Sequence, residues 1–203
     1  MTLWIGLYRW VPPPTTPTII AEARRQGAVA REWVPITAVA PGAQRAIVAA
    51  EDAGFCTHWG FDMDAIRTAI AEGARRGAST ISQQTVKNLF LWQGRSWPRK
   101  AIEAALTPLA EAIWPKRRML ELYLNVAEFG RGIFGIEAAA HHFYDRPASA
   151  LSTGQAARLA MVLPAPKSRD PRELPASLAA RARSVAAGAR LIAGDGRAAC
   201  FDR

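Results

Sequence analysis

At 203 residues the chain has room for one domain with a sizeable core. Half of it is hydrophobic, which excludes a disordered chain, and Lys plus Arg exceed Asp plus Glu by 26 to 17, a net charge of +9. That excess calls for an anionic partner, whether nucleic acid, an anionic membrane surface or a phosphorylated substrate, and does not choose among them. Cys56 and Cys200 stand in unlike contexts without metal-ligand spacing, so neither a disulfide framework nor a zinc site is indicated.

The N-terminal stretch Leu3 to Tyr8 is apolar but soon meets Arg9 and the run Pro12-Pro13-Pro14. It is far short of the ~20 residues that span a bilayer, and it lacks the basic start and small-residue cleavage site of a secretory signal. It reads as an interfacial anchor or as the tail of a membrane helix, with the prolines forming an extended, stiff spacer. Beyond the spacer the pattern is helical. Pro41 opens a helix that runs to Asp52; Asp62 caps another reaching about Arg76; Thr80 to Leu91 is a third. Ser96 with Pro98 begins a long helix to Trp114, and Pro115 begins the next, through Asn125 to a Gly-rich break at Gly130 to Gly135. Ile136 to Tyr144 is short, Ser152 with Gln155 forms a capping box before a helix stopped by Pro164, and a basic helix spans roughly Pro175 to Ala193. With no convincing alternating strand and no internal repeat, the class is mainly α.

The helix from Thr80 carries the most chemistry. At about 100° per residue, Thr80, Gln83, Gln84, Lys87 and Asn88 share an arc of about 140°, while Ile81, Val86, Leu89 and Phe90 lie outside it. Thr80 and Gln83 form a capping-box pattern, and the helix start offers free N–H donors and partial positive charge to a phosphate. The flanking residues are apolar and bulky, so the polar face is expected to be buried and to need a partner, for which a ligand is a good candidate. Glu51 and Asp52 close an apolar helix; a carboxyl in such surroundings resists ionisation and suits a general base or acid, whereas His58 beside Trp59 reads as structural. Arg99 and Glu103 lie one helical turn apart. Either they are an ordinary ion pair, or Arg99 and Lys100 meet a phosphate near the helix start while Glu103 orients them or holds a divalent ion. A first-turn cation is disfavoured by the helix dipole unless an anion comes there, which favours the second reading.

Taken in order, Glu51-Asp52-x-x-Phe55-x-x-His58-x-Gly60-x-Asp62, Gly77-x-Ser79-Thr80-Ile-Ser-Gln83-Gln84-x-x-Lys87-Asn88, Arg99-Lys100-x-x-Glu103, Leu120-Glu121-Leu-Tyr123-Leu-Asn125 with Gly130 and Gly135, and Gln155-Ala-Ala-Arg158-Leu-Ala resemble the five motifs of the bacterial peptidoglycan glycosyltransferases, glycosyltransferase family 51. The resemblance covers about residues 33 to 175. It implies a lysozyme-like, mostly helical glycosyltransferase domain at 33–175, preceded by an anchor and Pro-rich linker at 1–32 and followed by a basic helix and tail at 176–203. It further implies polymerisation of lipid II, by addition to a lipid-linked glycan, into β-1,4 strands with inversion and release of a lipid diphosphate. Glu51 is then the catalytic base and Glu103 the second acidic residue, a candidate ligand for Mg²⁺ or another divalent cation, with no organic cofactor. Asp52, Ser79, Thr80, Gln83, Gln84, Lys87, Asn88, Arg99 and Lys100 are the expected substrate contacts. The partners implied are lipid II, the growing glycan, the cytoplasmic membrane and other wall-synthesis proteins rather than nucleic acid, with the catalytic domain on the periplasmic side of the inner membrane. No Ser-x-x-Lys or Lys-Thr-Gly occurs, so transpeptidase activity is not expected.

The sequence departs from the family pattern at Gly54, where a basic residue is usual, at Cys56, where an aromatic is usual, and in a short connection between Arg75 and Gly77. Two other classes stay open. A lysozyme-like glycan hydrolase also needs a buried Glu but has no use for the Lys87, Arg99 and Lys100 cluster. A basic, non-enzymatic membrane-surface or nucleic-acid-binding protein would explain the charge and leave Glu51 and Gln83-Gln84 without a role.

Overall fold

The computed structural model of the chain describes residues 1–73, 77–94 and 96–202. Among these, ten α-helices carry the fold: α1 (Thr2–Tyr8), α2 (Pro17–Gln26), α3 (Pro41–Glu51), α4 (Met63–Ala71), α5 (Ile81–Phe90), α6 (Trp97–Ile113), α7 (Lys116–Val126), α8 (Ile136–Tyr144), α9 (Thr153–Val162) and α10 (Ala176–Gly194). The mainly α class expected from the sequence is the one observed. Its start signals act as chemistry requires: Pro41 occupies the first turn of α3, and the Asp62 side chain accepts the Ala65 N–H at 2.8 Å. Complete capping boxes open α5 at Thr80/Gln83 and α9 at Ser152/Gln155. The proposed end of α4 at Arg76 and the short connection from Arg75 lie outside the described residues.

Two features differ from the sequence reading. Residues 17–31, placed there in an anchor and linker, build α2 and the strand β1 (Ala30–Arg31), and both pack on the body of the protein. The Gly-rich break holds two further strands, β2 (Glu128–Gly130) and β3 (Ile133–Phe134), in a sheet of order β1-β3-β2, parallel then antiparallel. Strands of two or three residues are too short to show alternation, and the turn between β2 and β3 depends on Gly132 at φ +71°.

Packing divides the helices into two groups. α3, α9 and α10 pack on one another through Ala43, Ala46, Ala156, Ala157, Ala160, Ala182, Ala186 and Ala189, all buried. Small side chains let three helices approach closely. α5 packs against α6 and α7, whose larger residues Trp114, Met119, Leu120 and Tyr123 fill the centre, each contributing about 2 kcal/mol or more through burial. The end of α3 and the start of α5 meet where the two groups join.

Cys56 and Cys200 are joined in a disulfide across 144 residues of sequence, with their Cα atoms 5.6 Å apart. This corrects the reading that no disulfide framework is indicated; no local spacing marks so distant a pair, and only the folded path brings them together. Around the bridge, Phe55 and Phe201 have ring centroids 6.2 Å apart and the Arg45 guanidinium binds Asp202 through Nε at 2.9 Å. Closing a loop of this size restricts the unfolded chain by about 5 kcal/mol at most. Cys56→Ser combined with Cys200→Ser should therefore lower the denaturation midpoint clearly; an unchanged urea midpoint would show that the bridge adds no stability.

Candidate active site

The site begins where α3 ends. Glu51 is the last residue of the helix and Asp52 caps it. The buried Asp52 carboxylate accepts the Ile81 N–H at 2.9 Å, and His58 Nε2 lies 2.8 and 3.0 Å from its two oxygens. Because His58 Nδ1 accepts the Gly60 N–H at 3.2 Å, the proton of a neutral ring sits on Nε2 and is donated to Asp52. His58 is thus structural, as its sequence context suggested. Gly60, at φ +92°, presses on α6: a Cβ there would come within 2.8 Å of Thr107 Cγ2. Its carbonyl accepts the Thr80 hydroxyl at 2.7 Å. The 52–62 loop and the start of α5 are thereby locked together.

This junction sets Gln84 opposite Glu51. Gln84 Nε2 donates to Glu51 Oε2 at 2.9 Å, and the Tyr123 hydroxyl donates to Gln84 Oε1 at 3.2 Å, which fixes the carboxamide's orientation. Burial pushes the Glu51 carboxyl above its usual range; the Gln84 hydrogen bond and the charges of Arg181 and Lys87 oppose this, while Asp52 adds to it. The predicted polar face of α5 divides in its duties. Thr80 and Gln83, both buried, are engaged in the cap, with Gln83 Oε1 accepting the Thr80 N–H at 3.1 Å. Gln84, Lys87 and Asn88 face a cavity of about 400 Å³, whose far wall is Pro164 to Ser168. Glu51, Asp52, Gly54, Asp62, Ser79 and Thr80 line a second cavity of about 360 Å³. The Glu51–Gln84 hydrogen bond connects residues of the two.

On α6, Glu103 is buried and both its oxygens are taken, Oε2 by Arg99 Nη1 at 2.8 Å and Oε1 by Lys100 Nζ. Arg99 Nε also donates to the Gly94 carbonyl at 2.8 Å. The ion pair considered from the sequence is present and includes Lys100 as well as Arg99, and both of these residues line a cavity of about 290 Å³ with Ser96 and Trp97. Lys87 makes no ion pair within 4.0 Å among the described residues. Burial lowers the pKa of its ammonium, Glu103 and Glu51 raise it, and Arg99 and Lys100 lower it further. A partly buried cation without an ion-pair partner favours an anionic ligand beside it. For a divalent cation the donor set does not fit: the Glu103 oxygens are occupied by cations, and no group of three or more His, Cys, Asp or Glu among the described residues could hold a metal.

Sequence reasoning missed Tyr123 as the support of Gln84, Arg181 as a charge felt by Glu51, and the Pro164–Ser168 wall with Lys167. Tyr123 lay in a recognised motif without an assigned partner. Lys167 binds the buried Glu22 of α2 at 2.5 Å, a contact no local pattern reveals.

Residues 17–190 match the family model described as Transglycosylase. Relatives bearing the name biosynthetic peptidoglycan transglycosylase include one from Jannaschia sp. (strain CCS1), 58% identical over 99% of this chain and 84% of its own length. Another, from Rhodospirillum centenum (strain ATCC 51521 / SW), is 49% identical over 96% of this chain and 86% of its own. One from Stutzerimonas stutzeri (strain A1501) is 51% identical over 81% and 72%. A match over most of the chain shows the family: the chain belongs to the transglycosylase family, and its fold is that family's lysozyme-like helical domain.

Proposed function

We propose that this protein is a peptidoglycan glycosyltransferase that polymerises lipid II into β-1,4 glycan strands and releases undecaprenyl diphosphate. The observation that carries this reading is a carboxyl of raised pKa, Glu51, hydrogen-bonded to Gln84 one helical turn from Lys87, a partly buried cation with no ion-pair partner among the described residues. Glu51 takes the proton of the acceptor's 4-hydroxyl as that oxygen attacks the donor's anomeric carbon. The carbon–diphosphate bond breaks on the opposite face, so configuration inverts. The acceptor occupies the cavity lined by Glu51 and Ser79, and the donor's diphosphate the one lined by Lys87 and Asn88. Negative charge develops on the leaving diphosphate, where Lys87, Arg99 and Lys100 stabilise it because they are already in place. Asp52 and Glu103 position these groups, and no step is assigned to a metal ion. A hydrolase expels a sugar hydroxyl and gains nothing from such a cluster, and a purely basic binding protein has no need of Glu51.

The locale proposed is the outer face of the cytoplasmic membrane. A disulfide persists in oxidising compartments, which favours the periplasmic side. No helix among the described residues is long and apolar enough to cross a membrane. The short α1 instead docks on α6, with the Trp114 indole donating to the Ile5 carbonyl at 2.7 Å, while Leu3, Trp4, Leu7 and Trp10 are exposed. Arg9, Arg117 and Arg118 stand beside them around a small cavity. Apolar and aromatic groups rimmed by arginines suit the surface of an anionic bilayer.

With labelled lipid II, native protein should form polymer and Glu51→Gln essentially none, a loss on the order of 10²–10⁴-fold or more; undiminished polymer from the variant would remove Glu51 from the reaction. Glu103→Gln should fold and react slowly because Arg99 and Lys100 lose their common anion. Gln84→Ala deletes a hydrogen bond that favours the charged carboxylate, so the acidic limb of its rate profile should move to higher pH. On vesicles rich in phosphatidylglycerol the native protein should co-sediment, with Trp4→Ala plus Trp10→Ala weakening binding about tenfold. Native protein left wholly in the supernatant would refute the membrane face.

A further inference from the structure

The last helix and the segment after it are tied to the reactive end of α3 at several separate points. Cys200 is bonded to Cys56, four residues after Asp52 in the loop whose Ala53, Gly54 and Asp62 wall the 360 Å³ cavity. Phe201 is buried against Phe55, and Asp202 holds Arg45 on α3 itself. α10 packs along α3 closely enough that a Cβ added at Gly188 would lie 3.8 Å from Ala49 Cβ, in van der Waals contact. From this helix Arg181, exposed and without a hydrogen-bond or ion-pair partner among the described residues, brings its charge to the Glu51 carboxyl. None of the groups contributed by the C-terminal arm, Arg181, Gly188, Cys200, Phe201 and Asp202, belongs to the motifs that carried the functional reading.

We propose that the C-terminal arm, latched by the Cys56–Cys200 bridge, is a positioning element of the active site: it seats α10, and with it the charge of Arg181, against the helix that ends in Glu51, and it fixes the loop that walls the acceptor cavity. Arg181 is the positioning residue and the bridge its anchor. This rests on Glu51 acting as the base. The charged or titratable groups acting on Glu51 come from each element around it: Asp52 at the end of its own helix, Lys87 from α5, Tyr123 from α7 and Arg181 from α10. Lys87 also feels the charges of Glu103, Arg99 and Lys100. Loss of a neighbouring cation favours the protonated carboxyl, so the base is disarmed as pH falls, sooner than in the native protein.

The test titrates the Glu51 carboxyl by ¹³C NMR without substrate and, separately, records the pH dependence of polymer formation. In Arg181→Gln, which keeps the bridge and the fold, the carboxyl should titrate at higher pH and the acidic limb of the rate should rise with it. Arg181→Lys should restore both. Arg183→Gln, roughly 200° further round the same helix, should change neither. Cys56→Ser with Cys200→Ser, examined below its melting temperature, should shift the titration in the same direction as Arg181→Gln. Coincident Glu51 titrations in native protein and Arg181→Gln overturn the role of Arg181, and a native titration in the folded double variant overturns the role of the bridge. If native protein forms no polymer while the NMR shifts appear, it is the enzymatic reading that fails and not the positioning.

Discussion

The contact on which the site depends is the acceptance of the Ile81 N–H by the Asp52 carboxylate. It joins the C-terminal end of α3 to the N-terminal end of α5 and uses one of the donors that every helix start leaves free. His58 bears on the same carboxylate, and Thr80 reaches back to Gly60, so the junction is closed from both sides. Once these ends are fixed, the pitch of α5 decides the rest. Gln84 arrives opposite Glu51, and Lys87 follows about one turn later on the same face.

Such an arrangement separates rigid support from chemistry. Asp52, His58, Thr80, Gln83 and Glu103 are occupied by protein partners, and their work is to hold others still. Glu51, Lys87, Asn88, Arg99 and Lys100 line open volume. Preorganised cations that need not move as charge develops are worth more than mobile ones, because no reorganisation has to accompany the reaction. Tyr123 extends the principle by one layer: fully buried on α7, it fixes the carboxamide that in turn fixes the carboxyl.

The two helix groups give this junction its stiffness. The alanine-rich packing of α3, α9 and α10 lets α3 lie close to the C-terminal helix, and the bulkier packing of α5, α6 and α7 sets the cation-bearing helices. The Glu51 carboxyl stands at the seam and feels charges from both groups. A disulfide beside that seam ties the end of the sequence to the loop that follows Glu51.

The sequence alone determined the helices with strong local chemistry. Capping boxes at Thr80 and Ser152, prolines at helix starts and the apolar spacing of α5 are short-range effects, so they are legible within a few residues of chain. It also placed Glu51, Lys87, Arg99 and Glu103 in ordered motifs, the pattern by which the family was recognised. Tertiary structure decided what needs distant partners. The short strands around Gly132, α2 against the body, Tyr123 beneath Gln84, Arg181 beside Glu51 and the Cys56–Cys200 bridge all join segments far apart in sequence. Periodicity reports which face of an element is buried, not what buries it, so these pairings exist only once the chain has closed on itself.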